Sequence, residues 1–138
     1  HEERGAEIIL GFCQRYRIPN DYRDLAVLVA RYHSHCHRAL ELRPATLLKA
    51  LEALDAFRRP ERFEQFLTAC EADARGRTGL EDRTYPQPAF LRRALHAAQS
   101  VDASDLIAQG LTGAALGSEI GRLRLKAIKD ALPPEAVA

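Results

Sequence analysis

From Phe63 to Ala74, apolar side chains recur three and four residues apart, at Phe63, Phe66, Leu67, Cys70 and Ala74, and Gly76 follows as a stop. That period predicts a helix with one buried stripe, opened by Pro60 in its first turn. Asp73 departs from the pattern. It lies seven residues after Phe66, roughly 20° around the helix, so its carboxylate is expected to continue the stripe and turn away from water. An unpaired buried charge costs on the order of several kcal/mol or is neutralised by protonation, so Asp73 needs a partner. A metal ion, Arg75, Arg77 or a more distant arginine would serve, and helical geometry leaves these open.

The rest of the chain follows the same period. Residues 1–17 place His1, Gly5, Ile8, Ile9, Phe12, Cys13 and Tyr16 on one side of a helix, with acidic and basic residues opposite. Ile18-Pro19-Asn20-Asp21 breaks it, and Asn20 or Asp21 is a suitable N-cap for a second helix reaching about His33 with Leu25, Leu28, Val29 and Tyr32 inward. A third helix opens at Arg43-Pro44, carries Leu47, Leu48, Leu51 and Leu54 inward, and stops at Pro60. Residues 77–86 hold too many breakers for regular structure and are expected to form an ordered surface loop. Phe90, Leu91, Ala94, Leu95 and Ala98 define a fifth helix, and Asp102 or Ser104 caps a short sixth ending at Gly110. A last helix from about Gly113 to Leu132 carries Leu116, Ile120, Leu123 and Ala127 on one stripe and Arg122, Lys126 and Lys129 on another, which would be a solvated face or a track for phosphates. The tail from Pro133 is expected to be loose. Without strands or repeats, the fold class is all-α.

Composition narrows the function classes. With 138 residues, 46% of them hydrophobic, the chain can bury one real core, and 20 basic against 19 acidic residues give no strong overall field. Nucleic-acid contact would therefore have to come from local basic clusters. Three cysteines, Cys13, Cys36 and Cys70, form no regular framework and suit reduced thiols in the cytoplasm, with no disulfide expected. No apolar run approaches the roughly 18 residues a membrane span requires. The absence of Met and the start inside a helical pattern lead to the expectation of a fragment of a longer protein. Neither a Gly-rich phosphate loop, nor a Gly-x-Ser-x-Gly elbow, nor an Asp-x-Asp pair for two magnesium ions is present.

His33-Ser34-His35-Cys36-His37 attracts attention because His33 and His37 have the i, i+4 spacing of helix chelation. A structural zinc site wants a second, separated pair of ligands, and none follows at the usual spacing, so no dedicated zinc site is expected. His33 would be a hydrogen-bonded residue at the core edge or a ligand, and His1 a frayed terminal residue or one aimed along the buried side. His1, His33 and Asp73 come from three helices, and one divalent ion would explain all three together.

Four segments in order, His1-Glu2-Glu3 with Gly5-Ala6, then residues 17–25, residues 28–33, and Glu71-Ala72-Asp73-Ala74-Arg75-Gly76-Arg77-Thr78-Gly79, resemble the C-terminal region of the bacterial multifunctional CCA protein family. The likeness covers nearly the whole chain, and the Glu-Ala-Asp-x-Arg-Gly-Arg segment is its most specific part. The resemblance implies a parent that adds CCA to tRNA 3′ ends from CTP and ATP with magnesium, in an N-terminal head absent here. It also implies an HD-type phosphohydrolase region acting on phosphomonoesters and 2′,3′-cyclic phosphodiesters with a divalent metal, nickel being typical. Asp73 matches the closing metal ligand, and His1 and His33 match histidines around the same site. On this reading residues 1–98 form the distal part of an HD-like helical bundle and residues 99–138 form tail helices. Arg75 and Arg77 would engage substrate phosphate, and Arg122, Lys126 and Lys129 the RNA backbone.

The chain departs from the family at one decisive point, since the adjacent His-Asp pair that names the HD group occurs nowhere in it. The fragment alone is therefore expected to be inactive and to hold metal weakly. The alternatives are a free-standing hydrolase using His1, His33, His37 and Asp73, or a helical interaction domain able to form a homodimer.

Overall fold

Prolines and short polar breaks divide the computed structural model, which describes residues 2–132, into seven α-helices: α1 (Glu2–Arg15), α2 (Asn20–His37), α3 (Pro44–Ala53), α4 (Pro60–Arg75), α5 (Gln87–Gln99), α6 (Ser104–Ala108) and α7 (Gly113–Ala131). One 3₁₀ turn, Ala39–Glu41, links α2 to α3, and there is no strand among the described residues. The all-α expectation holds. The expected tail from Pro133 and the position of His1 fall outside the described residues.

One core runs through α3, α4, α5 and the end of α7, and Leu47, Leu51, Phe63, Phe66, Leu67, Phe90 and Ile128 are its largest fully enclosed side chains. Each such side chain contributes about 1.5–3 kcal/mol relative to exposure. The whole stripe of α4 read from the sequence, Phe63, Phe66, Leu67, Cys70 and Ala74, is buried. On α7 the sequence stripe is displaced: Leu116, Ile120, Leu123 and Ala127 are only half-buried, whereas Ile128 and Leu132 are enclosed. The cause lies in what α7 packs on. Its C-terminal half lies against α3 and α5, and Arg124 sets its guanidinium 4.1 Å from the Phe57 ring centre, so the contact side is rotated from the apolar stripe.

α1 also differs from expectation. Ala6 and Cys13 face α2, where Gly5 would bring an added Cβ within 3.9 Å of the Ala30 Cβ, and Glu3 accepts a 2.8 Å bond from Arg31. Ile8, Phe12 and Tyr16 are each more than half exposed. The seam uses the small residues, which allow close approach, and the bulkier line is left outside. Cys36 joins the core from α2, whose end runs four residues past the expected stop at His33, so that His33 to His37 is helical throughout.

Two helix ends use an uncommon residue. α1 and α3 both close with a 6→1 bond, Ile18 N–H to Cys13 C=O (2.9 Å) and Ala56 N–H to Leu51 C=O (3.0 Å). The left-handed position this closure requires is usually glycine, but here it is Arg17 (φ 54°) and Asp55 (φ 52°). At α2 the expected side-chain cap from Asn20 or Asp21 is not made. Asp102 does act at the start of α6, accepting from the Ser104 backbone N–H at 2.9 Å and its hydroxyl at 2.7 Å, and both bonds hold its carboxyl below the usual range.

Candidate functional site at the end of helices α2 and α4

Helix α4 brings Asp73 to its last turn, and the structure corrects the expectation that its carboxylate is buried: the side chain is 57% exposed. The reason is angular. At 100° per residue the buried stripe centres on Phe63, Cys70 and Ala74, and Asp73 falls about 80° from that centre, beyond Phe66 at its edge. Its partner is none of the arginines considered. His37 Nε2 lies 2.8 Å from Asp73 Oδ2, while Arg75 pairs instead with Glu71 at 3.2 Å.

A relay of polar groups runs inward from this pair. The carboxylate can only accept, so His37 Nε2–H donates to it, leaving Nδ1 of the neutral ring to accept from the Tyr85 hydroxyl at 2.7 Å. The Tyr85 oxygen is 3.3 Å from Cys36 Sγ, inside the core. Tyr85 itself is only 7% exposed, and burial above all pushes its hydroxyl well above the usual tyrosine range. The Cys70 thiol is likewise pushed up, first by its bond with Cys36 and then by burial, whereas the Cys36 thiol is pushed down, chiefly by its bond with Cys70. Gln87, the first residue of α5, donates Nε2–H to the His37 carbonyl at 2.9 Å and so ties α5 to the end of α2.

One turn earlier on the same face, His33 Nδ1–H donates to the Val29 carbonyl at 2.8 Å. That bond fixes the tautomer and leaves Nε2 as a lone-pair donor. His33 and Asp73 line two adjoining recesses. One, about 330 Å³, is polar, and Arg77, Arg83, His37, Tyr85 and Gln87 share it. The other, about 460 Å³, is apolar and is bordered by Ile9, Tyr22, Leu25, Val29 and Ala69.

The fold therefore brings together His33, His37, Asp73 and Arg77 of the residues singled out from the sequence. His1 lies outside the described residues, and Arg75 turns aside. Among the described residues no three His, Cys, Asp or Glu side chains cluster closely enough to hold a metal ion. On α7, Arg122 pairs with Glu119 and Lys126 with Asp130, so two of the three basic residues there carry an acidic neighbour, while Lys129 is exposed. Only the alternative ligand set His1, His33, His37 and Asp73 puts His37 with Asp73, which the structure joins by a hydrogen bond and not through an ion, and Tyr85, Arg83 and Gln87 are not singled out from the sequence. A lone aromatic beside Pro86 in a polar loop could have pointed to Tyr85.

Comparison with known proteins bears on this arrangement. The multifunctional CCA protein of Thioalkalivibrio sulfidiphilus is 60% identical over 130 residues, 94% of this chain and 32% of that protein. These residues are homologous to a segment of the multifunctional CCA proteins. The Nitrosococcus oceani protein of that name is 57% identical over 135 residues, 98% of this chain and 33% of its own length, and that of Hahella chejuensis is 52% identical over 129 residues, 94% and 31%. The chain thus spans about a third of the length of the multifunctional CCA proteins it matches. No family model matches the chain, and no solved structure matches it. The resemblance carried by residues 71–79 and the three segments before them is a true relationship, and among the described residues no helix is long and apolar enough to cross a membrane.

Proposed function

We propose that this chain is the C-terminal region of a cytoplasmic multifunctional CCA protein, a tRNA nucleotidyltransferase acting in tRNA 3′-end maturation and repair with CTP, ATP and magnesium. Residues 1–98 are the distal part of its HD-type phosphohydrolase domain, and residues 99–138 its tail helices. The observation that carries the reading is the 60% identity over 130 residues, supported by the common cleft of His33 and Asp73.

The donors present suit a first-row divalent ion such as nickel: an imidazole Nε2 whose other nitrogen is held by a backbone carbonyl, and a carboxylate held by His37 through one oxygen. His33 and Asp73 would hold it together with His1 and with the His-Asp pair that the chain lacks. A bound ion there supplies an acidified water and neutralises charge on a phosphate. The chain's own residues orient and bind. The Val29 carbonyl aims the His33 ring, His37 fixes the Asp73 carboxylate, and Arg77 offers a bidentate donor to phosphate. With the ligand set incomplete, the chain alone holds nickel weakly and turns over no phosphodiester.

Nickel titration followed by imidazole NMR tests this. Weak binding that perturbs His33 and is lost in both His33→Ala and Asp73→Asn is expected; binding indifferent to both variants, or turnover of a chromogenic phosphodiester at the rate of an intact HD protein, would refute it. For tRNA, weak association that falls steeply with salt is expected, with a shallower slope after Lys126→Ala and Lys129→Ala. Salt-independent binding would exclude phosphate contacts by α7. A second reading, a helical interaction domain that pairs with itself, is favoured by the outward Ile8, Phe12 and Tyr16 of α1, and sedimentation of the chain as a dimer would support it.

A further inference from the structure

The cationic side of the polar cleft is built by a loop, and the loop assigns different roles to its three arginines. After α4 ends, two successive turns follow, with Leu80 N–H bonded to the Arg77 carbonyl (3.0 Å) and Arg83 N–H to the Leu80 carbonyl (3.2 Å). Gly79 takes the left-handed conformation (φ 86°) that the first turn needs. The path ends at buried Tyr85, so Arg77 and Arg83 are returned to the same recess of about 330 Å³. Neither guanidinium makes an ion pair among the described residues, and Asp73 is the one carboxylate lining the recess, already engaged by His37. Arg75 does something else: its Nη1 is held by Glu71 at 3.2 Å and its Nε–H donates to the Arg83 backbone carbonyl at 3.4 Å.

We propose that Arg83, together with Arg77, forms the clamp for a phosphate group in the cleft beside Asp73, and that Arg75 is a positioning residue holding the loop that presents Arg83. The inference rests on the phosphohydrolase reading and assigns its phosphate contacts. Two arginines without an ion pair among the described residues line a space larger than one phosphate, which leaves room for the group the phosphate is attached to. Planar N–H forks match tetrahedral oxyanions bidentately, and each charge-assisted contact of this kind changes affinity by roughly 10- to 100-fold.

Titration of the 138-residue chain with inorganic phosphate, read by backbone-amide NMR and repeated at higher salt, tests the clamp. Saturable, salt-sensitive shifts in residues 77–87 are expected, with at least about tenfold weaker binding in Arg83→Ala and in Arg77→Ala and partial recovery in Arg83→Lys. Arg75→Ala is expected to weaken binding several-fold on its own and to add nothing in the Arg83→Ala background, as required of a residue that acts through Arg83. Absence of phosphate binding in the unmodified chain, or equal binding in Arg83→Ala, overturns the clamp. Additive losses in the double variant overturn the positioning role. Nickel titration of Arg83→Ala separates the two readings: His33 signals that still respond while phosphate binding survives the substitution sink the clamp alone, and a nickel-blind chain whose phosphate binding depends on Arg83 sinks the metal reading alone.

Discussion

Replacing Tyr85 by Phe removes a single oxygen that serves two partners, and its effect can be worked out from the structure. The hydroxyl donates to His37 Nδ1 at 2.7 Å and lies 3.3 Å from Cys36 Sγ, while the ring remains to fill its space. A net hydrogen bond contributes about 0.5–1.5 kcal/mol, with the thiol bond at the low end, and the abandoned His37 nitrogen is only partly open to water. The sum is a loss of about 1–2 kcal/mol, read as a lower urea midpoint with unchanged slope and a melting temperature roughly 3–8 °C lower. The loss should also depend on pH. Because the folded Tyr85 hydroxyl is pushed above the value of roughly 10 that it has in the unfolded chain, the unfolded state releases this proton first; above about pH 10 stability therefore falls with rising pH, by at most about 1.4 kcal/mol per unit. Tyr85→Phe lacks this proton, so the gap between the two proteins should narrow from pH 10 upward. A variant within about 0.3 kcal/mol of the parent at pH 7, with a parallel pH profile, would refute the relay.

Three further substitutions probe other parts of the fold. Phe66→Ala, emptying a site that is 1% exposed, should cost about 3–5 kcal/mol in chemical denaturation, and a loss under about 1 kcal/mol would mean the core is not closed there. Arg17→Gly should raise stability by up to about 1 kcal/mol by relieving a left-handed residue at the end of α1, whereas a loss would show that the Arg17 side chain matters more than its backbone. Glu64→Ala, which breaks the bidentate contact with Arg92, should change stability by less than about 1 kcal/mol at physiological salt, because both side chains are half exposed; a larger loss would mark this pair as a true tie between α4 and α5.

The α4 stripe was legible because all five of its apolar positions face the same way, and prolines marked the first turns of α3 and α4. Asp73 was misplaced by the same reasoning: distance from one member of a stripe, Phe66, says less than distance from the stripe's centre. On α1 the periodicity was sound and Gly5, Ile9 and Cys13 lie on the expected inner side, but the contact with α2 is turned toward Ala6, which leaves Ile8, Phe12 and Tyr16 outside. The site itself was half readable. His33 and Asp73 announce themselves by residue type on a helical face, but Tyr85, Arg83 and Gln87 enter through a turn path and a loop-to-helix tie, and no period encodes where a loop returns.

The placement of Ile128 and Leu132 bears on how this chain can be divided. Although they belong to the stretch that would be drawn as an appendage, these two residues are enclosed in the same core as the side chains of α3 and α5, on which α7 packs. Cutting the chain ahead of Gly113 would not yield the same bundle minus an arm; it would leave a cavity open to water and a broad, uncooperative melt. Grafting a different terminal helix from a relative would succeed only with residues that fit the same two places.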